Sequence, residues 1–339
     1  MFLVTGGTGL VGSNLLYQLS LNNDSLVAIH RDSSDLSIVK RVFSYYTKDI
    51  NTLFDKIIWK QADITDISAL QKVFKTQFKH VYHCAAMISF NSGDYYKLRT
   101  INIQGTANLV NFSLEKDVEK FCFVSSIATL DEHSGQKHIT EESEWNPELK
   151  HHGYAITKYG AEMEAWRASQ EGLDVIIVNP GVILGAGLCN TGSGKLFSSI
   201  AKGFKYYTEG ITGFVDVRDV VKSMINLMSN NIKNERFILV AENKLFKEVI
   251  FQIADNLGVK RPSYKINKTM TEIAWRIDWV KSLFGGNRNL TKYSARSAHH
   301  RNRYSSEKVK KVLGFQFQPV EETIARTCKI FKKEDAVIP

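Results

Sequence analysis

The chain opens on a strand, a glycine turn and a helix, and that order limits what it can become. Met1 to Val4 is an apolar stub, and Thr5-Gly6-Gly7-Thr8-Gly9-Leu10-Val11-Gly12 follows it directly. Leu10, Val11, Leu15, Leu16 and Leu19 then fall on roughly one face at helical spacing. Glycine lets the main chain turn tightly and lets a bound group come close to the backbone. The helix behind it offers unpaired N–H groups and a partial positive charge. Such a turn suits a pyrophosphate, in either a Gly6-x-x-Gly9-x-x-Gly12 or a Gly7-x-Gly9-x-x-Gly12 reading.

Apolar runs and helical patterns keep alternating. Strands are expected at Phe2–Thr5, Ser25–His30, Ile57–Gln61, His80–Cys84, Phe121–Ser125 and Val175–Asn179, with helices at Gly12–Leu21, Asp66–Gln77, Lys97–Lys116 and Tyr154–Gln170. The strands are near-continuous apolar runs, as when both faces of a sheet are covered. Repeated β-α-β units with right-handed crossovers give an α/β, doubly wound parallel sheet of the Rossmann kind. Ligands of such sheets bind at the carboxyl ends of the strands. That edge collects Gly6 to Gly12, His30-Arg31, Asp63, Ala85-Ala86, Ser125-Ser126 and Pro180.

After Asn179 the composition turns to Gly, Ser and Asn, and from Lys244 the chain reads as helical and more basic. The expected division is a dinucleotide-binding domain over 1–180, with 212–242 returning to its sheet, and a smaller, mostly helical substrate domain over 181–211 and 243–335. A small sheet element is expected near Tyr264–Ile266.

A hydrophobic fraction of 43% and a charged fraction of 23% are those of an ordinary soluble protein. The first strand starts at residue 1 or 2, so no leader is expected. The longest apolar stretch, Val175 to Leu188, is broken by Asn179, Pro180 and glycines and falls short of the roughly 20 residues of a membrane span. A cytoplasmic protein is expected. Cys84, Cys122, Cys189 and Cys328 form no CxxC pair, and the His151-His152 and His299-His300 pairs cannot share a helix face, so no metal site is expected.

From Lys281 onward, 13 Lys and Arg face five Asp and Glu, a large share of the net charge of +9. The densest part, Arg288 to Arg303, includes Lys292, Arg296 and Arg301. It reads as a solvated basic face, with an anionic substrate or carrier as the sharper alternative. No nucleic-acid-binding module accompanies it.

Tyr154-Ala155-Ile156-Thr157-Lys158 opens a helix, and residues at i and i+4 share a face. An ammonium beside a phenol favours the phenolate and makes the tyrosine a better proton donor and acceptor. Ser125-Ser126 end an apolar strand upstream, where a hydroxyl can hold a carbonyl oxygen for that tyrosine.

At this point the chain resembles the extended short-chain dehydrogenase/reductases, the NAD-dependent epimerase/dehydratase superfamily, nearest the dihydroflavonol-reductase and 3β-hydroxysteroid-dehydrogenase branch. Thr5–Gly12, Asp63-Ile64, His83-Cys84-Ala85-Ala86, Asn102, Ser125-Ser126, Tyr154 with Lys158, Asn179-Pro180-Gly181 and Phe214 to Val220 carry the resemblance, in the family's order. It implies a catalytic acid/base in Tyr154, a supporting Lys158 that also binds the nicotinamide ribose, and a Ser126 that orients the substrate oxygen, with Ser125 as the substitute. It implies cofactor binding by Gly6, Gly9, Leu10, Val11 and Gly12. Asp63 and Ile64 would meet adenine, and Ala85 and Ala86 the ribose and pyrophosphate. Ser125, Pro180 and Val182 would lie beside the nicotinamide. Asn102 is expected to brace the fold.

The end of the second strand bears on the cofactor. NAD sites place an acid there for the ribose 2′-hydroxyl, whereas an arginine accommodates a 2′-phosphate. Here the residues are Ile29-His30-Arg31-Asp32, so NADP(H) is expected, and NAD(H) stays open through Asp32 if the strand runs one residue further.

The resemblance leaves the reaction open. Ser126 is followed by Ile127-Ala128-Thr129 and not by the Thr-Asp-Glu of dehydratases, which disfavours elimination. The leading reading is an NADPH-dependent oxidoreductase that reduces a ketone or aldehyde, or oxidises the alcohol. A nucleotide-sugar epimerase with bound NAD is the alternative, and a non-catalytic dinucleotide sensor a third. Met87–Phe90, Ala128–Leu130 and Val182–Phe197 are expected to face the substrate and, being largely apolar, suit a hydrophobic carbonyl compound. The helices Lys97–Lys116 and Tyr154–Gln170 resemble those that pair two such subunits, so a homodimer is expected.

Overall fold

A computed structural model describes residues 1–22, 25–133, 135–187, 192–283, 291 and 296–335. Its strands are β1 (Phe2–Thr5), β2 (Leu26–His30), β3 (Ile57–Gln61), β4 (His80–His83), β5 (Lys120–Val124), β6 (Asp174–Pro180), β7 (Val182–Leu184), β8 (Tyr206–Tyr207), β9 (Ile211–Asp216), β10 (Glu235–Leu239), β11 (Glu242–Leu245) and β12 (Tyr264–Lys265). Seven of them form a wholly parallel sheet in the order β10-β6-β5-β4-β1-β2-β3. The chain winds outward from β1 to β3, then crosses back to β4 and winds the other way. A crevice therefore opens at the carboxyl ends of β1 and β4, the switch point at which open α/β sheets bind ligands.

Successive strand residues point to opposite faces, and both faces are apolar. Val4, Ala28, Cys122 and Ile176 join a core with Leu15, Leu16 and Leu19 of α1 (Leu10–Asn22). Their neighbours Leu3, Val27, Phe121 and Ile177 join the opposite core, under later helices. These crossovers are α2 (Ser37–Ser44), α3 (Ile50–Asp55), α4 (Ile67–Val73), α5 (Tyr95–Leu98), α6 (Gly105–Glu115) and α7 (Gly153–Gln170). Ala161, Ala165 and Ala168 are fully buried and let α7 sit close on the sheet.

The helix expected over Lys97–Lys116 is not continuous. A π-helical turn, Arg99–Gln104, separates α5 from α6. Asn102 lies in it, accepting from the Met87 N–H at 2.8 Å and donating to the Met87 carbonyl at 3.1 Å. These bonds tie the turn to the segment beyond β4, and π turns of this kind gather at functional sites. The stretch between β2 and β3, which no periodicity marked, forms α2 and α3.

Residues 212–242 return only in part to the main sheet. Strand β9 pairs with β7 and β11 in a separate three-stranded sheet. The helix after it, here α9 (Val217–Ser229, following α8, Gly194–Ala201), packs on β5 and β6, and β10 completes the main sheet. The small sheet shares a core with α8, α10 (Phe246–Leu257) and the last helix, Val320–Asp335. The expected element near Tyr264 is β12, paired with β8. Among the described residues, no helix is long and apolar enough to cross a membrane.

Candidate active site at the sheet's switch point

The turn after β1 leaves no room for side chains. Gly6 adopts φ +70°, and a Cβ there would lie 2.6 Å from the Ala85 backbone nitrogen. A Cβ on Gly12 would lie 2.1 Å from the Gly6 carbonyl oxygen. Gly9 donates its N–H to that same oxygen at 2.9 Å. The loop is thus closed on itself and on the end of β4, and α1 begins at Leu10 with no acidic residue in its first turn. A bare backbone cradle against an uncompensated helix N-terminus fits a dinucleotide pyrophosphate.

Strand β2 ends at His30, so Arg31 is the first residue beyond it. Arg31 is exposed and its N–H is held by the Ser34 hydroxyl at 3.1 Å. Asp32 accepts instead from Gln61 at 3.3 Å. Asp63, past β3, accepts from both the N–H and the hydroxyl of Thr65, at 2.8 and 2.7 Å. Ile64 is buried against Gly105 of α6. Ala85 and Ala86 follow β4, with Ala86 exposed at the crevice edge. Pro180 ends β6, and Val182 starts the strand paired with β9.

A directed chain of hydrogen bonds runs beneath the crevice. The Ala85 N–H donates to the Thr5 hydroxyl at 3.2 Å, and Thr5 lies 2.7 Å from His83 Nδ1. His83 Nε2 lies 2.9 Å from the Thr106 hydroxyl, which donates to the Asn102 carbonyl at 2.6 Å. Thr106 and Thr5 thereby fix the tautomer, with the proton on Nε2. Asn102 Nδ2 then donates to Thr157 at 3.1 Å, and Thr157 to the Tyr154 carbonyl at 3.1 Å. The part that Thr5, His83, Thr106 and Thr157 play in this chain escaped the sequence reading. Their signal was present but faint: polar residues closing apolar strands, or buried one helical turn from Asn102.

Tyr154 and Lys158 both lie at the carboxyl end of β5. The Lys158 side chain is 1% exposed. Its Nζ donates to the Val124 carbonyl at 2.6 Å and sits 4.2 Å from the Phe123 ring centroid. Burial pushes its ammonium down to about 7, opposed by the Glu162 carboxylate. Burial likewise pushes the Tyr154 phenol up to about 12, opposed by a hydrogen bond to the Ser126 side chain. The expected lowering of the phenol by Lys158 is therefore not what this arrangement shows. Both groups are buried, and the cost of burying a charge dominates each. Tyr154 holds its proton at neutral pH.

The two serines are separated in role by geometry. Ser126 Oγ accepts from the Ala128 N–H at 3.1 Å and bonds to Tyr154. Ser125 is buried, its hydroxyl donating to Glu162 at 2.5 Å. That carboxylate also takes bonds from Thr129 and Asn179, at 2.9 and 3.1 Å, and pairs with Arg236 at 3.5 Å. Ser125 is thus engaged by Glu162, whereas Ser126 is set against Tyr154.

His152 caps α7 by accepting from the Ala155 N–H at 3.1 Å, and its ring lies nearly parallel to Tyr154, 5.7 Å away. Phe90 stands 6.1 Å from Tyr154. Ile88 and Phe90, both assigned to the substrate side, are exposed. Three other members of that assignment are core. Leu130 packs with Ile139, Ile238 and Tyr304, and Leu184 and Phe197 lie under the small sheet. Each points inward because its neighbours on both sides are buried strands or helices.

Burial pushes His83 and His152 down to about 3, so both fold neutral. Their contribution to stability is complete above the unfolded value of 6.5 and is lost as pH falls toward 3. His80, pushed down to about 4, acts in the same sense, and Asp219, pushed up to about 6, in the opposite one. Each unbalanced proton costs about 1.4 kcal/mol per pH unit. Tm is expected to drop by roughly 5 °C between pH 6.5 and 5; a flat Tm by scanning calorimetry across that window would overturn this account.

In the basic segment, Arg288 and Lys292 lie outside the described residues. Arg296 is paired with Glu272 at 2.5 Å, and Arg301 bridges to Ile211. Among the described residues no group of His, Cys, Asp and Glu is placed to hold a metal ion.

Comparison with known proteins gives the same direction. The model of the NAD dependent epimerase/dehydratase family matches residues 2–241. Dihydroflavonol 4-reductase of Gerbera hybrida is 26% identical over 278 residues, covering 78% of this chain and 73% of its own. UDP-glucose 4-epimerase of Vibrio cholerae is 26% identical over 299 residues, covering 84% and 80%. The crystal structure of gox2253 superposes with a TM-score of 0.81 at 26% identity, over 98% of each chain. With the glycine cradle, the switch-point crevice and this match over most of its length, the chain belongs to the NAD-dependent epimerase/dehydratase family of extended short-chain dehydrogenase/reductases.

Proposed function

We propose that the protein is an NADPH-dependent reductase of a hydrophobic ketone or aldehyde. The observation that carries this is the Ser126–Tyr154 hydrogen bond, with a protonated phenol and buried Lys158 behind it and exposed Ile88 and Phe90 in front. Bound NADPH supplies a hydride to the carbonyl carbon. Tyr154 gives its phenolic proton to the carbonyl oxygen, and Ser126 holds that oxygen in line. Lys158 places positive charge beside the phenolate left behind, which the low-dielectric pocket makes effective. Gly6, Gly9, Leu10, Val11 and Gly12 hold the pyrophosphate, Asp63, Ile64, Ala85 and Ala86 the adenosine side, and Pro180 and Val182 the nicotinamide side.

Arg31 supports NADPH because it is exposed just past β2, whereas Asp32 is engaged by Gln61. A charge-assisted bond to a 2′-phosphate contributes about 1.5–3 kcal/mol. The ratio of kcat/KM for NADPH over NADH is expected to exceed about tenfold and to collapse in Arg31→Ala. A preference for NADH would defeat the assignment.

The likeness to an epimerase supports a second reading, interconversion of a nucleotide sugar with retained NAD. Incubation with NADPH and a panel of aldehydes, ketones and nucleotide sugars separates the two. Loss of NADPH absorbance marks the reductase, and sugar interconversion without net oxidation marks the epimerase. Free Cys84, Cys122 and Cys328 fit a cytoplasmic setting. Exposed Tyr96 and Met163, on α5 and α7, fit the homodimer.

A further inference from the structure

One helix is built inside out. The segment Lys268–Leu283, α11, turns Thr271, Ala274, Trp275 and Asp278 toward the protein. Its outward face carries Met270, Ile273, Ile277 and Val280, exposed by 46%, 54%, 52% and 46%. Their spacing of three, four and three residues makes one continuous apolar stripe. In a helix that meets only water, the large apolar residues belong on the other side.

The stripe continues into a second exposed cluster. Asn267 caps α11 by accepting from the Met270 N–H at 2.8 Å, and Ile266 just before it donates to the Tyr207 carbonyl at 2.9 Å. The helix therefore springs directly from the β8–β12 ribbon. On that ribbon Phe204, Tyr206 and Tyr264 are exposed, each successive pair of rings 6.0 Å apart. Lys202, Lys205 and Lys268 stand exposed around these rings. The nearby acids are neutralised: Glu209 pairs with Lys265 at 2.7 Å, and Glu272 with Arg276 and Arg296.

We infer that this face docks the protein on an anionic lipid bilayer. Apolar and aromatic side chains with a lysine rim are what a helix lying in the headgroup region presents. Tyrosine rings suit that depth, with an apolar body and a polar tip. The charge selects the occupant. A second copy would bring one lysine rim against another, whereas an acidic headgroup layer attracts both rims. At 16 residues with charged members, α11 lies along the surface and does not cross.

The test is flotation of the full-length protein with vesicles of phosphatidylcholine alone or mixed with phosphatidylglycerol, followed by tryptophan emission. Wild type is expected to float with the anionic vesicles, to shift its emission to the blue, and to bind several-fold less at high salt. Ile273→Ser combined with Ile277→Ser changes no charge and alters only exposed positions. It is expected to keep Tm and lose about tenfold or more in partitioning. Failure of wild type to float with anionic vesicles overturns the proposal, as does equal flotation of the double variant. Dissociation of a dimer by that variant without vesicle binding would give the face to a second copy and overturn it equally.

Discussion

Tyr154→Phe is expected to lower kcat for carbonyl reduction by about a hundred- to ten-thousandfold, the range supplied by one positioned general acid. The change removes a single oxygen. Phe keeps the ring against His152 and Phe90, at 5.7 and 6.1 Å between centroids, so the pocket wall survives. Ser126 retains its bond from the Ala128 N–H and stays in place. Cofactor affinity and Tm should therefore change little, which separates lost chemistry from lost structure. The effect is large because neither Glu162 nor His152 can step in. Glu162 is committed to Ser125, Thr129, Asn179 and Arg236. His152, pushed down to about 3, carries no spare proton at neutral pH. Stopped-flow oxidation of NADPH with a substrate found by the panel measures the effect, and turnover near wild type would remove Tyr154 from the mechanism.

Gly12→Ala is expected to weaken NADPH binding by about a hundredfold or more, a loss near 2.7 kcal/mol. The added Cβ meets the Gly6 carbonyl oxygen at 2.1 Å and its carbon at 2.7 Å, both backbone atoms. No rotamer relieves that clash. Gly6 cannot retreat either, because the Ala85 backbone already closes the other side of the turn. The loop must open, and the N–H groups of α1 lose their aim. Gly93→Ala is the matched control, since its Cβ would meet the Asn91 side chain only at ordinary contact, 3.7 Å and beyond. Fluorescence titration with NADPH gives the comparison. Affinity within threefold of wild type for Gly12→Ala would show that the cradle tolerates what its geometry forbids.

Most of the main sheet was legible in the sequence because each of its strands is buried on both faces. A run such as Phe121-Cys122-Phe123-Val124 has no polar position to blur it. The glycine turn and the Tyr154–Lys158 pair were legible because each is a local spacing with a direct steric or electrostatic meaning. What escaped depends on residues far apart in the chain. Glu162 takes its partners from β5, β6 and β10, so nothing around it announces that Ser125 will turn inward. Leu130, Leu184 and Phe197 look like cleft residues until the elements covering them are placed. Helix α11 carries apolar residues on both sides, Ala274 and Trp275 on one and Ile273 and Ile277 on the other, so its pattern gives no hint of which side meets the protein. The π turn at Asn102 is invisible to helical periodicity, being set by bonds to Met87 across the crevice.

The buried chain from Thr5 through His83, Thr106 and Asn102 to Thr157 welds the pyrophosphate cradle to the catalytic helix. Arg31 stands apart from it at the tip of β2, where Ser34 and His30 hold its backbone. The molecule is therefore divisible in one respect and indivisible in another. Under the proposed cofactor assignment the tip of β2 is an interchangeable part, where preference between the two nicotinamide cofactors can drift or be engineered with the chemistry left intact. Under the proposed mechanism the cradle and the proton donor are a single casting: alter the polarity of any link, and recognition and turnover are expected to change together.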